Sequence, residues 1–167
     1  MRTHTLGARA FILPFALAGA VLFSLAPSTP AAATTTTTEA QQIIRIALAQ
    51  RGDPWRYAAQ GPSAFDCSGL VRYAFRNAGD AAAIHTGFLR SARSLYIWFR
   101  SHGKASRYNP KVGDLVIWGS GTHVGIYIGN GKAISTLTSG VRIHGVHAVT
   151  ARFTAYLHTG MSTRPAS

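Results

Sequence analysis

The apolar residues of this chain change period once, and that change limits the folds open to it. Up to about residue 101 they recur every three or four positions; from residue 114 onward they fall in short runs divided by turn-forming glycines. Residues 39–50 set Ile43, Ile44, Ala47 and Leu48 at helical spacing, with Thr38 as a cap and Gly52 as a stop. A second helix begins near Asp66 or Ser68, carries Leu70, Val71, Ala74 and Phe75, and ends at Gly79. Residues 86–101 read as a third, with Phe88, Leu89, Ala92, Leu95, Tyr96 and Phe99 on one side. Between the first two helices, residues 53–64 are rich in Gly, Pro and Ala and read as a loop. Strands are expected at 114–118, 123–128, 132–137, 141–146 and 153–158, with Gly129-Asn130-Gly131 as a hairpin turn. Helices first and an antiparallel meander after them make an α+β domain.

The N-terminal stretch has a composition of its own. Arg2 and Arg9 precede or flank an apolar run over residues 10–25, followed by Pro27, Pro30 and the small-x-small pair Ala31 and Ala33. This is the pattern of a secretory signal peptide covering residues 1–33. As a membrane span the run is short, and Pro14 interrupts it. The threonines of 34–38 read as a polar linker, 39–158 as the folded domain and 159–167 as a flexible tail. The expectation is a protein secreted to the cell envelope or beyond, monomeric, with no stable membrane insertion once the signal is removed.

Charge narrows the partners. The chain has 17 Lys and Arg against 5 Asp and Glu, a formal net charge of +12, and losing Arg2 and Arg9 leaves most of that excess. Such a balance favours anionic partners, which for an exported chain include wall polymers. The basic residues are scattered, and no helix-turn-helix, zinc-finger or base-stacking motif accompanies them, which argues against nucleic acid.

Cys67 is the only cysteine. Exported proteins use cysteines in pairs, so a solitary thiol is a small buried hydrophobe, half of an intermolecular disulfide, or a reactive group. Its place at the first turn of the second expected helix favours the third. Unpaired amides and the helix dipole there favour thiolate over thiol, and the same amides can hold an oxyanion. Gly69 would leave room for a substrate backbone. A thiol nucleophile also needs a base. Of the seven histidines, His123 is best placed, opening a strand straight after Gly121-Thr122. His144 and His147 have no third ligand at regular spacing, so neither metal nor cofactor is expected.

Phe65-Asp66-Cys67-Ser68-Gly69-Leu70-Val71 resembles the nucleophile motif of the NlpC-type cell-wall endopeptidases, which are papain-like cysteine peptidases. Val112-Gly113-Asp114-Leu115-Val116 is similar to that family's strand before the histidine, and His123-Val124-Gly125-Ile126-Tyr127-Ile128-Gly129-Asn130-Gly131 to the histidine strand itself. The resemblance implies a papain-like α+β fold and hydrolysis of peptide bonds in peptidoglycan stem peptides, usually between D-glutamate and the diamino acid. Cys67 would attack and His123 would carry the proton. Trp55, Tyr57, Asp66, Ser68 and Gly69 would line the substrate side, with Asp66 a candidate for a substrate amine. Arg90 and Ser91 match a short family segment beside the groove only faintly.

Three departures accompany the resemblance. The family's third polar residue, most often His, stands 12 positions after the base; here it is Ser135, which shares a face with His123 but carries no charge. The tyrosine expected 12 residues before the cysteine is Trp55, and the usual Gly-Gly that follows is Ala58-Ala59. One reading is an enzyme with a weaker orienting group or an altered substrate; the other is a decayed site that only binds wall material. The presence of both Cys67 and His123 favours the enzyme. His144 is an alternative third member if Ser139-Gly140 makes a two-residue turn. An acyltransferase or lipid-directed hydrolase is a further class that nothing specific supports.

Overall fold

The computed structural model describes residues 37–166; the expected signal segment, 1–33, lies outside them. Helix α1 (Glu39–Ala49) opens on a reciprocal cap: the Thr38 hydroxyl accepts the Gln41 N–H, and the Gln41 side chain accepts the Thr38 N–H. Thr38 is therefore part of the domain rather than of a linker. Ala40, Ile43 and Ala47 form the buried stripe of α1. Helix α2 (Cys67–Asn77) buries Leu70, Val71, Ala74 and Phe75, and α3 (Ala92–Ser101) buries Leu95 and Phe99.

Helix α3 starts later than the apolar pattern suggests. Ser91 and Ser94 cap each other there, residues Ala81–Ile84 form one 3-10 turn, and Phe88 stands exposed outside the helix. An apolar residue at helical spacing cannot override a capping box that fixes the start of the helix elsewhere.

The six strands among the described residues are β1 (Ala105–Ser106), β2 (Leu115–Trp118), β3 (His123–Gly129), β4 (Lys132–Leu137), β5 (Gly140–Gly145) and β6 (Phe153–Leu157). They form one antiparallel sheet in the order β1-β6-β2-β3-β4-β5. The expected meander holds from β2 to β5. The last strand crosses back to pair with β2 and carries the two-residue β1 at its outer edge, a strand too short to read from sequence. Side chains alternate across this sheet with period two. Leu115, Ile117, Val124, Ile126 and Ile134 face the helices, while Val116, Trp118, Tyr127, Ala133 and Tyr156 build a second cluster with Val146 and Phe153.

The β3–β4 turn is tighter than expected. Gly129 pairs with Lys132, so the loop itself is Asn130-Gly131, both at positive φ, and a bulge at Ile128 absorbs the odd residue. Parity is thereby kept for the residues beyond it.

Residues 159–166 do not trail away. Met161 is buried, Arg164 pairs with Glu39 at 3.0 Å, and Pro165 bridges to Thr38, so this segment packs against the start of α1. Asp114 secures the far end of the sheet: it accepts from the Lys111 N–H (2.8 Å) and the Thr159 N–H (3.0 Å), and lies 2.8 Å from Nδ1 of His158.

Candidate active site

The start of α2 is fixed before any chemistry is considered. Asp66 caps the helix by accepting the Gly69 N–H (2.6 Å) and the Ser68 hydroxyl (2.9 Å). Cys67 is thus the first helical residue, half-buried against the helix-side core. The backbone N–H groups of Val124, Ser68 and Cys67 itself favour the thiolate and oppose the cost of burying it. Val124, first among these, is the residue of β3 next to His123.

Burial nevertheless pushes the Cys67 thiol above its ordinary value, and the nearby Asp66 carboxylate adds to the effect. The backbone donors oppose this without reversing it, so the helix start alone does not deliver the thiolate that its position suggests.

His123 is the first residue of β3 and pairs across the sheet with Trp118. The fully buried Trp118 ring packs against it, centroids 5.3 Å apart, and is itself fixed by donating to the Val146 carbonyl. Burial in this setting pushes the imidazole down to about 4, with the nearby His144 a smaller contributor. At neutral pH the ring is therefore uncharged and free to accept a proton.

Ser135, fully buried on β4, lies 2.9 Å from Nε2 of His123 and 2.7 Å from Nε2 of His144. His144 Nδ1 lies 3.0 Å from the Gly145 carbonyl. A carbonyl only accepts, so Nδ1 of His144 carries the proton and, in the neutral ring, Nε2 accepts. The Ser135 hydroxyl then donates to His144 and accepts the Nε2–H of His123. Nδ1 of His123 keeps its lone pair. His144 reaches this position because β4 and β5 pair Ala133 with His144 and Ser135 with Arg142. The loop is Thr138-Ser139, so His144 is diagonal to Ser135 on the same face rather than directly opposite.

Cys67 and His123 line one cleft of about 520 Å³, in the range of small-ligand sites. Trp55, Tyr57, Asp66, Ser68 and Arg90 line it too. Trp55 and Tyr57 are both exposed, available for contact from solvent. A second hollow continues from Trp55 and His123 past Thr136 towards residues 148–151.

Gly69 has a different role from the one expected. It is buried, and a methyl at its Cα would collide with the carbonyl of Ala59, so it admits the neighbouring loop and not a substrate. In that loop Ala58 takes φ 58°, the left-handed region that glycine favours, so the Ala58-Ala59 pair keeps a glycine-like path. Sequence reading passed over Trp118, which holds the His123 ring, and Arg72, which lines the cleft. The signal for Arg72 was a charged residue one turn after Ser68 on a helix whose neighbours are apolar.

A helix-borne thiol and a sheet-borne imidazole thus line one cleft of an α+β domain. Residues 52–159 match the NlpC/P60 family, and the chain belongs to that family. It is 35% identical over 108 residues to a probable endopeptidase p60 of Listeria monocytogenes, covering 63% of this chain and 20% of that protein. It is 35% identical over 102 residues to the murein DD-endopeptidase MepH of Escherichia coli, covering 58% of this chain and 35% of MepH. The chain thus spans only about a fifth to a third of the length of these two relatives. Among solved structures, the peptidoglycan hydrolase RipB of Mycobacterium tuberculosis superposes with a TM-score of 0.56 at 28% identity, covering 72% of this chain and 63% of RipB. RipD of the same organism, described as a non-catalytic domain adapted to peptidoglycan binding, gives 0.57 at 25% identity, covering 73% of this chain and 97% of RipD.

Proposed function

We propose that this protein is a secreted cysteine peptidase that hydrolyses peptidoglycan stem peptides, at the D-glutamyl–diamino acid bond. The observation that carries the reading is the contact of Ser135 with Nε2 of His123, in a cleft that Cys67 also lines. With Ser135 donating onward to His144, its oxygen accepts the Nε2–H and leaves Nδ1 of His123 as the base. With the thiol raised by burial and the imidazole lowered, both partners are neutral at rest. His123 takes the thiol proton as sulfur attacks the scissile carbonyl. The N–H of Gly69 is already engaged by Asp66, so those of Cys67 and Ser68 are the donors left for the oxyanion. His123 then protonates the leaving amine, and water releases the acyl group from sulfur.

Export through the segment 1–33, and action as a monomer, belong to the same reading. The basic excess supports retention near anionic wall polymers. The competing reading is a wall-binding module without catalysis, which RipD represents among the structural neighbours.

Mass spectrometry of digests of purified wall separates the two. The native protein is expected to release stem-peptide fragments, iodoacetamide to block release, and Cys67→Ala to abolish it. Binding to wall with no fragments from the native protein would reject the peptidase and favour the binding module.

A further inference from the structure

Arg72 stands in an unusual place for an arginine. It is only 7% exposed, on the second turn of α2, yet it lines the cleft beside Cys67. Its one hydrogen bond among the described residues is a long one, from Nη2 to the Thr86 carbonyl at 3.3 Å, and its Nε has no partner. A buried guanidinium with donors unanswered is costly unless something else answers them.

The surroundings add positive charge instead of removing it. Arg90 lines the same cleft, and Arg90 and Arg76 act on Arg72 as like charges, offset in part by Asp66. Asp66 is already committed through Oδ1 to capping α2. The N-terminus of α3, at Ser91 and Ala92, lines this wall as well, so its dipole points the same way. Ser68, one helical turn before Arg72, shares its hydroxyl proton between Asp66 and the Arg90 carbonyl, the latter at 3.1 Å, while Arg72 holds Thr86. Together these two bonds fix the strand of chain that carries Arg90 against α2.

We infer that Arg72 and Arg90 form a carboxylate-binding subsite, so that the cleft selects peptides bearing a free carboxylate next to the bond cut over those in which it is amidated. The inference rests on the peptidase reading for its substrate class but not for its measurement. In γ-linked D-glutamyl peptides the α-carboxylate is such a group. A planar guanidinium matches it with paired donors, which a carboxamide cannot accept equally.

The test uses the full chain carrying Cys67→Ala, which binds without turnover, and two probes: γ-D-glutamyl-lysine with a free α-carboxylate, and the same dipeptide with an α-carboxamide. Titration calorimetry is expected to show the carboxylate form bound about tenfold more tightly, as charge-assisted pairing would give. Adding Arg72→Met should bring that ratio close to one, and so should Arg90→Met, whose exposed side chain makes loss of folding no concern. Arg72→Lys should keep part of the preference. Equal binding of both probes, no binding of either, or a preference that survives both methionine variants would overturn the subsite. Wall hydrolysis by the native chain is scored separately. Hydrolysis without the preference leaves the peptidase standing, and the preference without hydrolysis leaves the subsite standing.

Discussion

The Ser135 hydroxyl lies 2.9 Å from Nε2 of His123, and this contact decides which nitrogen of the ring can act as a base. A serine is an uncharged orienting group. It fixes the tautomer through a hydrogen bond but gives the imidazolium no compensating charge as the proton arrives. Ser135→Ala should therefore lower kcat by about tenfold or more while leaving KM nearly unchanged. Replacing His123 itself should cost more, about 10²–10⁴-fold. Steady-state kinetics on soluble stem peptides checks both, and an unaltered kcat in Ser135→Ala would remove the serine from the mechanism.

The direction of the whole chain of hydrogen bonds depends on His144. The Nδ1 of His144 faces the Gly145 carbonyl, so its Nε2 accepts from Ser135 and the Ser135 oxygen is turned to accept from Nε2 of His123. Without that acceptor the Ser135 hydroxyl is free to donate to His123 instead, which moves the imidazole proton to Nδ1 and removes the base. His144→Phe should therefore lower kcat by about tenfold with KM nearly unchanged, while His144→Gln, whose side-chain oxygen can accept from Ser135, should keep more of the activity. Steady-state kinetics on soluble stem peptides checks this, and an unaltered kcat in His144→Phe would show that His144 does not orient the base.

Much of this layout was legible in the sequence, for definite reasons. Cys67 follows a capping aspartate, and His123 opens an apolar run, so local pattern alone placed the thiol at a helix start and the imidazole at a strand start. The relation of Ser135 to His123 followed from strand parity, although the bulge at Ile128 that preserves it was not foreseen. Non-local contacts were out of reach. No local pattern says that Trp118 would pack on His123, that Gly69 would meet Ala59, or that burial would outweigh the helix start at Cys67. The C-terminal residues were read as a tail because they are short and polar, yet Met161 and the Arg164–Glu39 pair dock them.

Stability should carry the mark of the lowered imidazole. A histidine of ordinary pKa near 6.5 in the unfolded chain, held to about 4 in the folded one, binds its proton more readily when unfolded. Its contribution is complete above about pH 6.5 and is lost as the pH falls towards 4. The full effect is on the order of 3 kcal/mol. Urea unfolding between pH 7 and 4 should show that decline, and His123→Gln should flatten it. An equal slope in the variant would assign the decline to other groups.

The loop over the cleft depends on an atom that is missing. Gly69 lies under the Ala59 carbonyl, and Asp66 donates its backbone N–H to that same carbonyl at 2.8 Å. A methyl at position 69 would strike backbone and not a flexible side chain, so the segment carrying Trp55, Tyr57 and Ala58 has to lift. Overpacking of this kind costs about 1–3 kcal/mol. The displaced loop would also open the burial that keeps the Cys67 thiol protonated. Gly69→Ala should therefore lower the urea midpoint and, in the folded protein, speed iodoacetamide alkylation of Cys67 at neutral pH even as hydrolysis falls. Alkylation at the native rate in a destabilised Gly69→Ala protein would mean that the loop does not set the exposure of the sulfur.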